Sequence, residues 1–337
     1  MTNRNSIFDL MKGVGIILVI CGHVFREFTF FHFSPYNFIF SFHMPLFFFI
    51  SGMLYHKKEK YVLKKAFSLG VPYISFALLS FLYWILIESK FRSYAGSTTL
   101  QFTNIFFPMN IRGGYEFNAV LWFLPALFFC SIMFYVIEKM AQEYKIVFII
   151  LLVIVIAYDS LFYDNWIPFY IPQALCALPF FITGNQVCTY LGKFNIFIKK
   201  RPSLTIVTSL TCLFAIGIFS PKFDMLWCIY NNCYLIFFFT ALLAIICTYS
   251  CMVVVDKNRV LEWFGKNSLI IMLIHEPIKR IILKLYSVIL HIPIDSIRTS
   301  LLPSLIVIFT VLCSVVPFVM VINKYTPFLI GKPFRKE

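Results

Sequence analysis

FDLMKGVGIILVICGHVF, residues 8–25, decides the fold class. Most of it is the apolar run of a membrane-spanning helix, yet Asp9 and Lys12 stand at one end and His23 near the other. Lys12 and His23 are eleven positions apart. At ~100° per residue that is close to three whole turns, so the two side chains share a face, separated by about 16 Å along the axis. Asp9 and Glu27 fall within ~40° of the same direction. One stripe therefore reads Asp9, Lys12, His23, Glu27. Ionisable groups at membrane depth are costly against lipid and face other helices or a polar cavity.

The rest of the chain repeats this apolar character. Of 337 residues, 60% are hydrophobic and 13% charged, against roughly half and a quarter in a soluble domain. The mean hydropathy is +0.84. The apolar runs do not alternate, which excludes a β-barrel. The reading is an all-α polytopic membrane protein forming a single domain over 1–337. Ten runs are long enough to span the ~30 Å hydrocarbon core. They lie near Ile7–Phe28, Asn37–Tyr55, Ala66–Glu88, Ala119–Glu138, Ile146–Tyr163, Pro172–Leu191, Ser203–Ser220, Leu226–Val255, Asn267–Leu290 and Ser300–Asn323.

A net charge of +14 would suggest nucleic acid in a soluble protein. Here the cations fall in short connections and sort by side. HKKEKYVLKK, KFNIFIKKR, DKNRVLEWFGK and the tail KPFRKE lie on one side, while the other holds only scattered cations such as Arg26, Lys222 and Arg298. The positive-inside rule makes the first side cytoplasmic and places both termini there, and no nucleic-acid partner is expected. The opening segment lacks a small-residue cleavage site and reads as a retained span. The ten cysteines sit within apolar runs without metal-ligand spacing, so they read as packing residues and no metal is expected. The connection Ser89–Asn118 is long and rich in Phe, Tyr, Met and Ile, a composition suited to packing rather than to a loose tether.

Three places carry candidate chemistry. On the first span, Lys12 either snorkels to the interface or binds an anion. His23 is either a hydrogen-bonded structural histidine or a base with a pKa near working pH. In NSLIIMLIHEPIKRIILKLY, residues 267–286, His275 lies about 12 Å into the ninth span, with Pro277 expected to interrupt the helix behind it. Glu276 can pair there with Lys279 or Arg280. The segment is either a broken helix lining a cavity or a bent interfacial helix with snorkelling cations. At the start of the third span, Lys57, Lys58, Lys60, Lys64 and Lys65 make the densest cation cluster. It reflects topology alone or forms a phosphate-binding rim.

With these motifs in place the chain resembles the integral-membrane acyltransferase-3 family, bacterial proteins that O-acylate surface glycans. Lys12 to His23 matches the family's Arg/Lys-x10-His pattern. FSFHMPLFFFISGMLY, GVPYI, LWFLPALFF and LIIMLIHEP are similar to its later segments. Where members usually show Arg-x-x-Arg before the third-span proline, this chain has Lys65 and Ser68, and lysine lacks the bidentate fork of arginine. The resemblance implies acyl-CoA, most often acetyl-CoA, as co-substrate with no tightly bound cofactor. It also implies a carbohydrate acceptor and a place in the bacterial cytoplasmic membrane, in contact with its lipid. His23 is then the expected general base with Glu27, or a carboxylate from another helix, orienting it. Lys12, Lys64 and Lys65 are expected at the CoA phosphates. Tyr115 and Trp122 are expected to stack on the sugar, unless they are ordinary interfacial aromatics. Asp9, His43, His275 and Glu276 are expected in the polar cavity. A transporter, flippase or polymerase for lipid-linked glycans is the competing class; it would tend to show internal repeats or more spans, neither of which is visible here.

Overall fold

A computed structural model describes residues 6–26, 29–57, 59–91, 97–108, 117–140, 142, 145–146, 149, 167–231 and 233–333. Among these the chain is helical, with two isolated β-bridges and no strand. The helices are α1 (Ser6–Val24), α2 (Pro35–Phe40), α3 (His43–Met53), α4 (Tyr61–Lys65), α5 (Val71–Leu86), α6 (Thr98–Phe106) and α7 (Phe123–Lys139). After the undescribed stretch come α8 (Ile171–Val187), α9 (Leu191–Lys200), α10 (Pro202–Phe219), α11 (Tyr234–Val255) and α12 (Arg259–Lys266). The chain closes with α13 (Ser268–Leu290), α14 (Ile294–Arg298) and α15 (Leu301–Tyr325).

Eight stretches among the described residues are long and apolar enough to cross a membrane, and they coincide with eight of the ten expected spans. A ninth, α13, has 23 residues but carries Glu276, Lys279, Arg280 and Lys284. The span expected at Ile146–Tyr163 lies almost wholly outside the described residues.

Helix α1 is the hub. It packs on α2, α3, α11, α12, α13 and α15 and is among the most enclosed spans, whereas α10 is the least. Two crossings bring backbones together, as small residues permit between membrane helices. A Cβ on Gly13 would collide with the carbonyl of Leu261 in α12, and one on Gly265 with the carbonyl of Asp9. A Cβ on Gly52 of α3 would meet the carbonyl of Phe181 in α8, and one on Gly184 that of Phe49. At the same end of the bundle as the start of α1, Asn323 donates to Asn267 at 2.9 Å, joining the end of α15 to the start of α13.

Three local expectations are corrected. The second span is broken: α2 ends at Phe40, Ser41 and Phe42 turn, and α3 begins at His43. Its ring Nδ1–H donates 2.7 Å to the Ile39 carbonyl and so serves one of the acceptors the break leaves open. The ninth span, expected to be interrupted at Pro277, is one continuous helix. Proline has no N–H for the carbonyl four residues back, and that carbonyl, Leu273, instead accepts from Asn118 Nδ2 at 3.0 Å. The eighth span starts at Tyr234, not Leu226. The chain before it folds into a loop around Asp224, whose carboxylate accepts from the Leu226 and Trp227 N–H groups at 2.9 and 3.2 Å.

The described residues of the Ser89–Asn118 connection pack inward only in part, with Phe102, Phe106 and Phe107 exposed. Gln101, Asn104, Ile105, Phe117 and Asn118 are buried, and Tyr73 of α5 donates to the Ile105 carbonyl at 2.9 Å. Asn118 also donates to Ser80 Oγ at 3.0 Å.

Candidate active site

His23 sits one residue from the end of α1. A helix terminus leaves its last carbonyls without intrahelical donors. Arg298, at the end of α14, supplies them: its Nε donates 3.0 Å to Val24 and its Nη2 3.1 Å to His23. A cation there also complements the negative end of the helix dipole. The Arg298 guanidinium is held below the usual arginine value by burial and by neighbouring Arg26. Arg26 in turn pairs with Asp295 at 2.9 Å.

The imidazole faces α13. His23 Nδ1 lies 3.7 Å from Glu276 Oε2. That carboxylate is buried and accepts from Lys279 Nζ at 2.7 and 2.8 Å and from Arg280 Nε at 2.8 Å. Arg280 reaches on to Glu88 at 3.0 and 3.2 Å. A buried charge is tolerable when paired and hydrogen-bonded on its remaining lone pairs, which is the case for Glu276. The network fixes its carboxylate from one side and leaves one oxygen toward His23.

His275 lies against His23 with ring centroids 5.3 Å apart. Its Nδ1 is within 3.0 Å of the Ile271 carbonyl and 2.9 Å of that of Met272. Carbonyls only accept, so the proton is on Nδ1 and Nε2 is left as an acceptor. That Nε2 is buried with no hydrogen-bond partner among the described residues. Phe40 bridges the remaining imidazole, its ring 6.4 Å from His23 and 4.9 Å from His43.

His23 and Glu276 open onto a cavity of about 310 Å³, with His275 behind His23 rather than in its wall. His23, His43, Glu276, Lys279 and Arg298 supply its polar wall. Tyr36, Phe40, Trp122 and Trp227 supply aromatic faces, and Asp224 a carboxyl from the 220–233 loop. Burial pushes the Asp224 carboxyl up to about 6, against the opposing pull of its two backbone hydrogen bonds and Lys222. The cavity joins a flat apolar lining to a few convergent polar groups, the usual make-up of a small-ligand site.

The structure thus brings His23, His43, Trp122, His275 and Glu276 together. Asp9 and Lys12 lie toward the other end of α1, where α12 crosses; Asp9 is buried and Lys12 half-buried. Lys64 is exposed and Lys65 half-buried on α4, with Lys65 Nζ 5.9 Å from the Tyr61 ring and Tyr61 stacked on Tyr135 of α7. A π-helical turn, Ala66–Gly70, follows and contains Ser68. Glu27 and Tyr115 lie outside the described residues.

Sequence reasoning missed Lys279, Asp224, Trp227 and Arg298 as cavity groups. Lys279 carried a signal, a lysine in the middle of a span beside an acid. Arg298 had none, since an isolated cation in a short connection reads as topology. Its role comes from lying against α1 at a separation of 275 residues.

Comparison with known proteins agrees with the motifs. Residues 5–323 match the model of the acyltransferase-3 family, described as an acyltransferase domain. Nodulation protein NolL of Mesorhizobium japonicum is 32% identical over 138 residues, which cover 39% of this chain and 35% of that protein. Nodulation protein NolL of Sinorhizobium fredii is 48% identical over 58 residues, covering 15% of this chain and 16% of that protein. The matched regions therefore span well under half of these relatives. No solved structure matches. The family match runs over nearly the whole chain and includes both the helix that carries His23 and the one that carries Glu276: this multi-pass membrane protein belongs to the acyltransferase-3 family.

Proposed function

We propose that the chain is a membrane O-acyltransferase of the bacterial cytoplasmic membrane. It moves an acyl group, acetyl in the simplest case, from acyl-CoA to a sugar hydroxyl of a cell-surface or exported glycan. The observation that carries this reading is the His23–Glu276 pair, 3.7 Å apart, in a cavity walled by aromatic rings. Aromatic faces with a few polar groups suit a sugar, which is apolar on its ring faces and polar at its rim.

In this reaction the acceptor oxygen forms a bond to the acyl carbon while the thioester C–S bond breaks. His23 Nε2 takes the hydroxyl proton and returns it to the departing thiolate of CoA. Glu276 faces Nδ1, which keeps the proton on that nitrogen and stabilises the imidazolium as it forms, the role of the carboxylate in a catalytic triad. It is the carboxylate from another helix expected as the alternative to Glu27, which lies outside the described residues. Lys12, Lys64 and Lys65 hold the CoA phosphates at the cytoplasmic end, and Trp122 stacks on the acceptor. The family membership supports acyl transfer, and the aromatic walls of the cavity support a carbohydrate acceptor.

The test is transfer of labelled acetyl from acetyl-CoA into the host's surface glycans by the purified protein in proteoliposomes. His23→Ala is expected to lower transfer by about 10²–10⁴-fold, the range for loss of a general base, with an unchanged elution profile and unfolding temperature. Full activity in that variant removes His23 from the mechanism.

A further inference from the structure

A second cavity, about 570 Å³, lies between the end of α5, the outer half of α13, and α14. It shares Glu276, Lys279 and Arg298 with the His23 cavity, so the two meet at the same polar cluster. Its other walls are apolar: Tyr83 and Ile87 on one side, Ile281, Leu285 and Ile294 on the other. Ile87, Ile281 and Leu285 are exposed hydrophobic side chains at its edge. Four cations, Lys279, Arg280, Lys284 and Arg298, line it against two carboxylates, Glu88 and Glu276. The carboxylates are engaged by Lys279 and Arg280, which leaves Lys284 and Arg298 as the positive surplus. Lys284 is exposed and has no carboxylate partner among the described residues.

We propose that this groove is the side entrance of the acceptor, and that the acceptor reaches it as an anionic amphiphile, a sugar carried on a lipid phosphate. The assignment rests on the reading of the His23 cavity as the transfer site. A water-soluble anion has no use for walls of Ile and Leu, and an uncharged lipid has none for two surplus cations inside them. A lipid phosphate satisfies both: its chain lies along Tyr83, Ile87, Ile281 and Leu285, and its phosphate lies on Lys284 and Arg298. The two cavities have Glu276, Lys279 and Arg298 as a common wall, and that adjacency favours a sugar-bearing lipid over an ordinary phospholipid. Whatever is attached beyond the phosphate passes Glu276 and Lys279 and arrives at His23. Arg298 then has two tasks, since it also holds the end of α1 on which His23 stands.

The experiment uses the full-length protein in phosphatidylcholine nanodiscs and two photoreactive probes, a diazirine-bearing polyprenyl phosphate and phosphatidylglycerol with the same diazirine. Polyprenyl phosphate is expected to label peptides of α5 and α13, and excess phosphatidylglycerol is expected not to displace it. Lys284→Glu should lower that labelling by about fivefold or more, from ~1 kcal/mol per cation near an anionic headgroup. Leu285→Trp, which fills the groove without touching charge, should lower it as well and guards against misfolding of the first variant. His23→Ala should label as the wild type does, which separates this proposal from the catalytic one. Equal labelling by both probes, labelling confined to other helices, no labelling, or labelling indifferent to both groove variants overturns the proposal.

Discussion

At the scale of single residues, the site is built by side chains that answer backbone groups left open elsewhere. Asn118 is the clearest case. Pro277 withdraws the N–H that the Leu273 carbonyl would accept, and Asn118 restores a donor from a distant segment. The pair makes a specific prediction. Asn118→Leu should cost about 1–3 kcal/mol, since it strands a buried acceptor and the Ser80 hydroxyl. Adding Pro277→Ala gives Leu273 a backbone donor again, so the double variant should regain part of that loss. Thermal unfolding of the four proteins in detergent measures this. Strictly additive effects would show that the two residues do not share the carbonyl.

Asp224 makes a prediction about pH. Its carboxyl stands at about 6 rather than 3.8 because it is buried. A raised carboxyl pKa means the folded protein holds the proton more tightly than the unfolded chain. The associated stability is therefore present at low pH and fades as pH rises through about 6. Two pKa units correspond to roughly 3 kcal/mol. Asp224→Asn keeps an acceptor for the Leu226 and Trp227 N–H groups without the titration. Between pH 4 and 7 the wild type should lose stability relative to Asp224→Asn by about that amount. Parallel unfolding curves for the two proteins across this range would contradict it. The aromatic and acidic residues of this loop were invisible as site residues in the sequence, where PKFDMLW reads as the edge of a span.

At the scale of elements, the helix crossings set what the core tolerates. The α3–α8 crossing places Gly52 against the Phe181 carbonyl and Gly184 against the Phe49 carbonyl. Gly52→Ala must push two backbones apart, and overpacking of this kind costs about 1–3 kcal/mol or more. It should lower the unfolding temperature and the yield of folded protein. Gly192, in α9, has no atom within 4 Å of where a Cβ would stand. There alanine should stabilise by about 0.5–1 kcal/mol through helix propensity alone. Similar effects at the two positions would contradict the crossing. The sequence marked the spans well because length and apolar content are enough to recognise them. It did not reveal the break in the second span. Ser41–Phe42 contains no proline or glycine, and the turn persists because His43 and the packing around it serve the opened backbone.

At the scale of the whole molecule, the sequence by itself determined the solvent and the class of fold. A chain this apolar, with most of its cations in short connections and without the alternation of a barrel, has only helices available in a bilayer, where each backbone group must be satisfied within its own segment. It also placed Lys12 and His23 on one face of α1, because helical geometry alone does so. Tertiary structure decided the company His23 keeps. Glu276, His275, Arg298 and Asp224 come from segments far along the chain, and no periodicity within one helix relates them to α1. Their meeting depends on how α1 is threaded among α2, α3, α13 and α14, which is settled by side-chain packing and by buried polar groups finding partners. Those are contacts between segments, and a single segment's pattern does not contain them.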